Sequence, residues 1–109
     1  MSDKLKELPA CPVETTLSLI GDKLKVLILR DLITGTKRFG ELKKSIGTVS
    51  QKFLTAQLRD MEENGLVHRE VYAEVHPKVE YSLTELGQSL QPVLDAMRNW
   101  GEDYKSKNA

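Results

Sequence analysis

The apolar positions of the chain recur at two periods, and the change of period divides it. From Pro12 to about Asn64 they fall three and four residues apart, the spacing of one helix face. Glycines cut this region into four helical stretches. The first opens at Pro12, where a missing N–H leaves no partner unmet, carries Val13, Leu17 and Ile20, and stops at Gly21. The second, Lys23 to Thr34, is apolar almost all round (Leu24, Val26, Leu27, Ile28, Leu29, Leu32, Ile33), which predicts a helix at the domain centre. Gly35 ends it. A short third stretch places Phe39, Leu42 and Ile46 on one face and ends at Gly47. Ser50 stands as the N-cap of a fourth helix, which runs to the stop signal Asn64-Gly65. Its apolar stripe is narrow, Leu54, Leu58 and Met61 with Phe53 beside it; the opposite side shows Gln51, Lys52, Thr55, Ala56 and Arg59.

After Leu66 the period drops to two. Lys78 to Leu83 alternates strictly, as a strand with one buried face does, and Val67 to Tyr72 is its antiparallel partner. Ala73 to Pro77 is too long for a tight turn and projects as a loop. Thr84 caps a final helix reaching at least Trp100. There Leu86, Leu90, Val93, Met97, Trp100 and Tyr104 alternate spacings of four and three, an a/d seam, and Pro92 inside it predicts a kink. Helix, helix, turn, helix, then hairpin is the order of a winged helix-turn-helix, mainly α with a small β-hairpin and a long C-terminal helix. At 109 residues there is room for one such domain over 1–109. Its helix-turn-helix covers 38–64, its wing 67–83, and helices over 10–21 and 84–105 are left for dimerisation.

Composition narrows the class. Apolar residues are 39% and charged residues 29%, an ordinary globular balance. No apolar run approaches the roughly 20 residues of a membrane span. Met1-Ser2-Asp3-Lys4-Leu5-Lys6 does not lead into a signal peptide, and a single cysteine builds no disulfide framework, so a cytoplasmic protein without membrane contact is expected. Net charge is zero, yet Lys37 to Arg59 holds six cations against Glu41 alone, a local +5.

That basic segment contains the helix which topology places in the major groove. Reading DNA needs donors and acceptors at base edges and cations at phosphates. Gln51 can pair bidentately with adenine, Thr55 can meet a thymine methyl, and Lys52 and Arg59 can reach guanine or phosphate. Lys43, Lys44, Lys37 and Arg38, on and before the preceding helix, suit the DNA backbone, and Ser50 stands at the helix start. A solvated polar face is the simpler account of any one helix taken alone. The coincidence of a narrow stripe, small exposed residues and basic flanks on one predicted reading helix favours DNA. At the hairpin, Arg69, His76 and Lys78 either reach phosphates or the minor groove, or make an ordinary charged turn.

Together, these residues resemble the HxlR-type winged-helix regulators, a bacterial family related in fold to the MarR group. The resemblance runs from Cys11 to Gly101. It is carried by Cys11-Pro12-Val13, Leu17-x-Leu19-Ile20-Gly21-x-Lys23, Gly35-x-x-Arg38-Phe39-x-Glu41-Leu42 and Ser50-x-x-x-Leu54. It continues through Leu58-Arg59-x-Met61-Glu62-x-x-Gly65-Leu66-Val67-x-Arg69, Pro77-x-Val79-x-Tyr81-x-Leu83-Thr84-x-x-Gly87 and Trp100. The family opening Gly-Gly-Lys-Trp reads Gly21-Asp22-Lys23-Leu24 here, which keeps an apolar residue in the buried helix. The resemblance implies a homodimer on a pseudo-palindromic operator in double-stranded DNA, with the first and last helices at the interface. The candidate interface residues are Val13, Leu17, Leu90, Val93, Met97 and Trp100.

Cys11 precedes Pro12 and so occupies the N-cap of the first helix, a position that favours a thiolate, with Lys4 and Lys6 nearby in sequence. The resemblance implies a redox or electrophile sensor at Cys11; a passive small residue in the interface is the alternative. Catalysis by Cys11 with His68 or His76 has no supporting motif, and two histidines with one cysteine make a poor metal set, so no catalytic residue, metal or cofactor is expected. A winged-helix module that binds proteins and no DNA is the remaining competitor. Such a module would more readily expose Leu, Trp or Tyr than Gln, Lys, Thr and Arg on the reading helix.

Overall fold

The apolar run from Leu24 to Ile33 winds into the helix around which the rest packs. The computed structural model describes residues 8–76 and 78–108. In chain order the elements are α1 (Pro12–Ile20), α2 (Lys23–Ile33), β1 (Lys37–Arg38), α3 (Phe39–Ile46), α4 (Gln51–Glu63), β2 (Val67–Tyr72), β3 (Lys78–Leu83), α5 (Glu85–Gln88) and α6 (Gln91–Asn108). Leu24, Ile28, Leu29 and Leu32 of α2 are buried, and Leu42 of α3, Leu54, Leu58 and Met61 of α4, and Leu66, Val67, Tyr81 and Leu83 join them in one core. Asp22, where the family opening has its second glycine, caps α2 by accepting the Leu24 N–H at 2.8 Å. The Lys25 ammonium lies 2.6 Å from Asp60 and ties α2 to α4.

The molecule is a winged helix-turn-helix, with two differences from the sequence expectation. The sheet has three strands, ordered β1-β3-β2, because Lys37 and Arg38 pair antiparallel with Tyr81 and Glu80. Two residues carry no period, so this edge strand exists only through its partner. The C-terminal helix is also interrupted. Pro92 has no N–H for the Gln88 carbonyl and its ring would crowd that oxygen, so the helix begun at Thr84 ends at Gln88. Ser89 and Leu90 tighten to three-residue hydrogen bonds, and α6 restarts with Pro92 in its first turn, where a proline is welcome. A break replaces the expected kink.

Two close approaches fix the wing against the helices. Gly65 takes φ +78°, a left-handed conformation open to glycine, and turns the chain from α4 into β2. Thr84 accepts the Gly87 N–H at 3.0 Å as the cap of α5 while donating its hydroxyl to the Gly65 carbonyl. A Cβ on Gly87 would run into the Leu66 carbonyl oxygen.

Candidate nucleic-acid interface

The site is built from the turn outward. Gly47 ends α3 at φ +93°, and Ser50 Oγ accepts the Phe53 N–H at 3.0 Å, starting α4. Ser50 is therefore a helix cap first, with its hydroxyl hydrogen left to donate. The buried stripe of α4 turns Gln51, Lys52, Ala56 and Arg59 to solvent and leaves Thr55 half-buried toward the sheet. Phe53, 46% exposed, edges an open groove floored by Leu24, Leu27 and Ile46 instead of entering the core.

Charge on this side is largely uncommitted. Among the described residues, Arg38, Lys43, Lys44, Lys52, Arg59 and Arg69 form no ion pair. Glu41, the one carboxylate of the basic segment, accepts the Arg38 backbone N–H at 2.8 Å and so caps α3. Lys43 and Lys44 lie in the last turn of α3, where the helix dipole favours cations. Lys37 is occupied, its ammonium donating to Thr34 Oγ1 at 3.0 Å.

The wing has two unlike faces. Register places Arg69 beside Tyr81 and Lys37 on the face toward the helices. On the outer face Glu70 stands directly opposite Glu80, with Arg38 on the far side of Glu80. Lys78 is 3.9 Å from Glu80 and its ammonium sits 4.8 Å from the centre of the Tyr72 ring. His68 pairs with Glu70 at 2.9 Å. The Tyr72 hydroxyl is held above its ordinary pKa, chiefly by the charge of Glu80, then by a hydrogen bond to it, by burial, and by Glu70 and Glu74. On this outer face the carboxylates of Glu70 and Glu80 are balanced by the cations of Lys78 and Arg38. At the tip, His76 and Glu74 are exposed and Val75 is 92% exposed; Pro77 lies outside the described residues.

Arg69 is drawn into a cleft of about 160 Å³ with Thr55, Arg59, Glu62 and Tyr81. The structure thus brings Thr55, Arg59 and Arg69 together and keeps His76 and Lys78 apart from them. Glu62 and Tyr81 carry no binding signal in the sequence: one reads as a helix-surface charge, the other as a strand core residue.

A second exposed surface lies at the other end. Cys11 is exposed at the N-cap of α1 and its side chain makes no cap hydrogen bond; Lys4 and Lys6 lie outside the described residues. Val13 and Leu17 of α1 and Val93, Met97, Trp100 and Tyr104 of α6 are exposed, with the Trp100 and Tyr104 rings stacked at 5.4 Å. Leu90, in the helix break, packs partly buried on its own core.

Residues 19–109 match the family described as HxlR-like helix-turn-helix. The chain is 55% identical over 97 residues to the HTH-type transcriptional regulator YdeP of Bacillus subtilis, covering 89% of this chain and 76% of YdeP. It superimposes on the redox regulator HypR in its reduced form with a TM-score of 0.84 at 48% identity, over 87% of this chain and 94% of that one. The reduced transcriptional regulator YodB from B. subtilis gives a TM-score of 0.76 at 39% identity, over 88% and 95%.

Proposed function

The chain belongs to the HxlR-like helix-turn-helix family of transcriptional regulators, not to any enzyme class, and from that premise we propose that it works as a homodimer whose two α4 helices read the half-sites of a pseudo-palindromic operator. The observation that carries this reading is the solvent face of α4. Gln51, Lys52 and Arg59 are exposed there, and neither cation has an ion-pair partner among the described residues. Arg38, Lys43 and Lys44 flank it as backbone contacts. In the wing, Arg69 contributes from the inner face and His76 from the tip, with Lys78 a weaker contributor because Tyr72 and Glu80 already engage it. The exposed apolar residues of α1 and α6 support pairing with a second copy.

The test is an anisotropy titration on the intergenic DNA upstream of the protein's own gene, with random competitor DNA, at two salt concentrations. Selective binding should fall steeply as salt rises. Lys52→Ala should weaken it by about tenfold or more. A folded dimer that binds no DNA would favour the protein-contact module.

Regulation through Cys11 is the finer part of the proposal. It is supported by the exposure of the thiol at the helix start, beside the apolar surface of α1, and by the likeness to a redox regulator. One cysteine per chain leaves three reactions: a disulfide to the second copy, a mixed disulfide with a small thiol, or alkylation by a quinone. Diamide serves as the oxidant, its N=N bond taking up the two electrons and two protons that the paired thiols lose. Treated protein should lose DNA and Cys11→Ser should keep it; release of the Cys11→Ser protein would overturn the sensor.

A further inference from the structure

We propose that Thr55, Arg59, Arg69 and Tyr81 form one oxyanion seat, in which a single phosphate bridges the reading helix and the wing while Glu62 attenuates its grip. The proposal deepens the DNA-binding reading and, for DNA as the source of the phosphate, rests on it.

The geometry comes from two periodicities meeting. Thr55, Arg59 and Glu62 are four and three residues apart and share one side of α4. Arg69 and Tyr81 are direct cross-strand partners, so their side chains stand next to each other on one face of the sheet. The two sides enclose a cleft of about 160 Å³, enough for a tetrahedral oxyanion with some of its water. Neither guanidinium has an ion-pair partner among the described residues. Guanidinium is the group whose planar fork best matches phosphate oxygens. Two hydroxyls join them. Tyr81 is only 7% exposed, and neither it nor Thr55 makes a side-chain hydrogen bond among the described residues. The Tyr81 ring is buried while its oxygen is not among the buried unpartnered atoms, so the hydroxyl is open to the cleft and free to donate.

Charge sets the kind of anion. Glu62 lines the cleft beyond ion-pair distance of both arginines, so it consumes neither. Two cations and one carboxylate leave one positive charge in excess, which matches the single negative charge of a phosphodiester. Glu62 repels that charge and keeps the grip moderate. Because the helix and the strand act on one phosphate, losing both arginines costs no more contacts than losing that phosphate once.

The test is the slope of log affinity against log salt for the wild type, Arg59→Met, Arg69→Met and the double variant on one duplex. Each phosphate neutralised contributes about 0.9 to that slope. The double variant should lose about 0.9, no more than one phosphate, and bind no more weakly than about tenfold below the weaker single variant. A loss of about 1.8, the two single losses adding, would overturn the seat while leaving the DNA-binding reading intact. Glu62→Gln should tighten binding about two- to fivefold; weaker binding would overturn its attenuating role.

A second arm uses inorganic phosphate without DNA, read from the Arg59 and Arg69 side-chain N–H signals by NMR. Both signals moving on one saturating curve, lost together in Arg69→Met, support the seat for free phosphate as well. Non-additive slopes without this response assign the seat to the DNA backbone alone. If the wild type binds no DNA, a shared phosphate curve keeps the seat and discards the DNA reading, and separate curves or none discard both.

Discussion

Helices α4 and α6 carry the same signal in sequence and meet opposite fates in the structure. Leu54, Leu58 and Met61 on α4 and Val93, Met97, Trp100 and Tyr104 on α6 all recur at spacings of three and four. The α4 residues are 0%, 1% and 0% exposed, whereas no residue of α6 is buried and Trp100 is 70% exposed. The difference lies in what covers each stripe. α4 packs on α2 and on β2 of its own chain. The outer stripe of α6 has no cover among the described residues, which is what the proposed pairing with a second copy would supply. An apolar period therefore reports that a face is to be covered, without saying by which chain.

Substitutions on the two stripes should separate these roles. Leu58→Ala opens a cavity in a closed core and should lower stability by about 2–5 kcal/mol in urea denaturation. Trp100→Ala should leave the far-UV spectrum of the chain intact and weaken self-association by about 2–4 kcal/mol, measured by sedimentation. If Trp100→Ala instead unfolds the isolated chain as Leu58→Ala does, the contrast between the stripes is lost. The smallest effect is expected at the start of α4, where Ser50→Ala removes the acceptor for the Phe53 N–H and should cost about 1 kcal/mol of stability.

Local chemistry made most of the architecture legible before the fold. Ser50, Gly65 and Thr84 mark their boundaries through cap bonds and a left-handed turn formed within a few residues. Leu86 to Tyr104 showed the seam, and the basic run from Lys37 to Arg59 showed the side of the domain to inspect. What stayed hidden depends on partners distant in sequence. β1 exists because Tyr81 and Glu80 accept two residues as an edge. The break at Ser89–Leu90 reflects where the chain yields to Pro92, which a seam pattern passes over. The cleft joins Thr55, Arg59 and Glu62 to Arg69 and Tyr81 only after the helix and the sheet have packed. The facing of Glu80 and Glu70 on the outer side of the wing likewise follows from register and not from either strand alone.

The central claim, that a second copy covers the α1 and α6 stripe and so sets two α4 helices on one duplex, is tested most directly by sedimentation equilibrium of the reduced wild-type protein at micromolar concentration. The account predicts a species of twice the 12.3 kDa chain mass, shifted toward the single chain by Trp100→Ala. A wild-type protein that sediments as one 12.3 kDa chain across that range would contradict it.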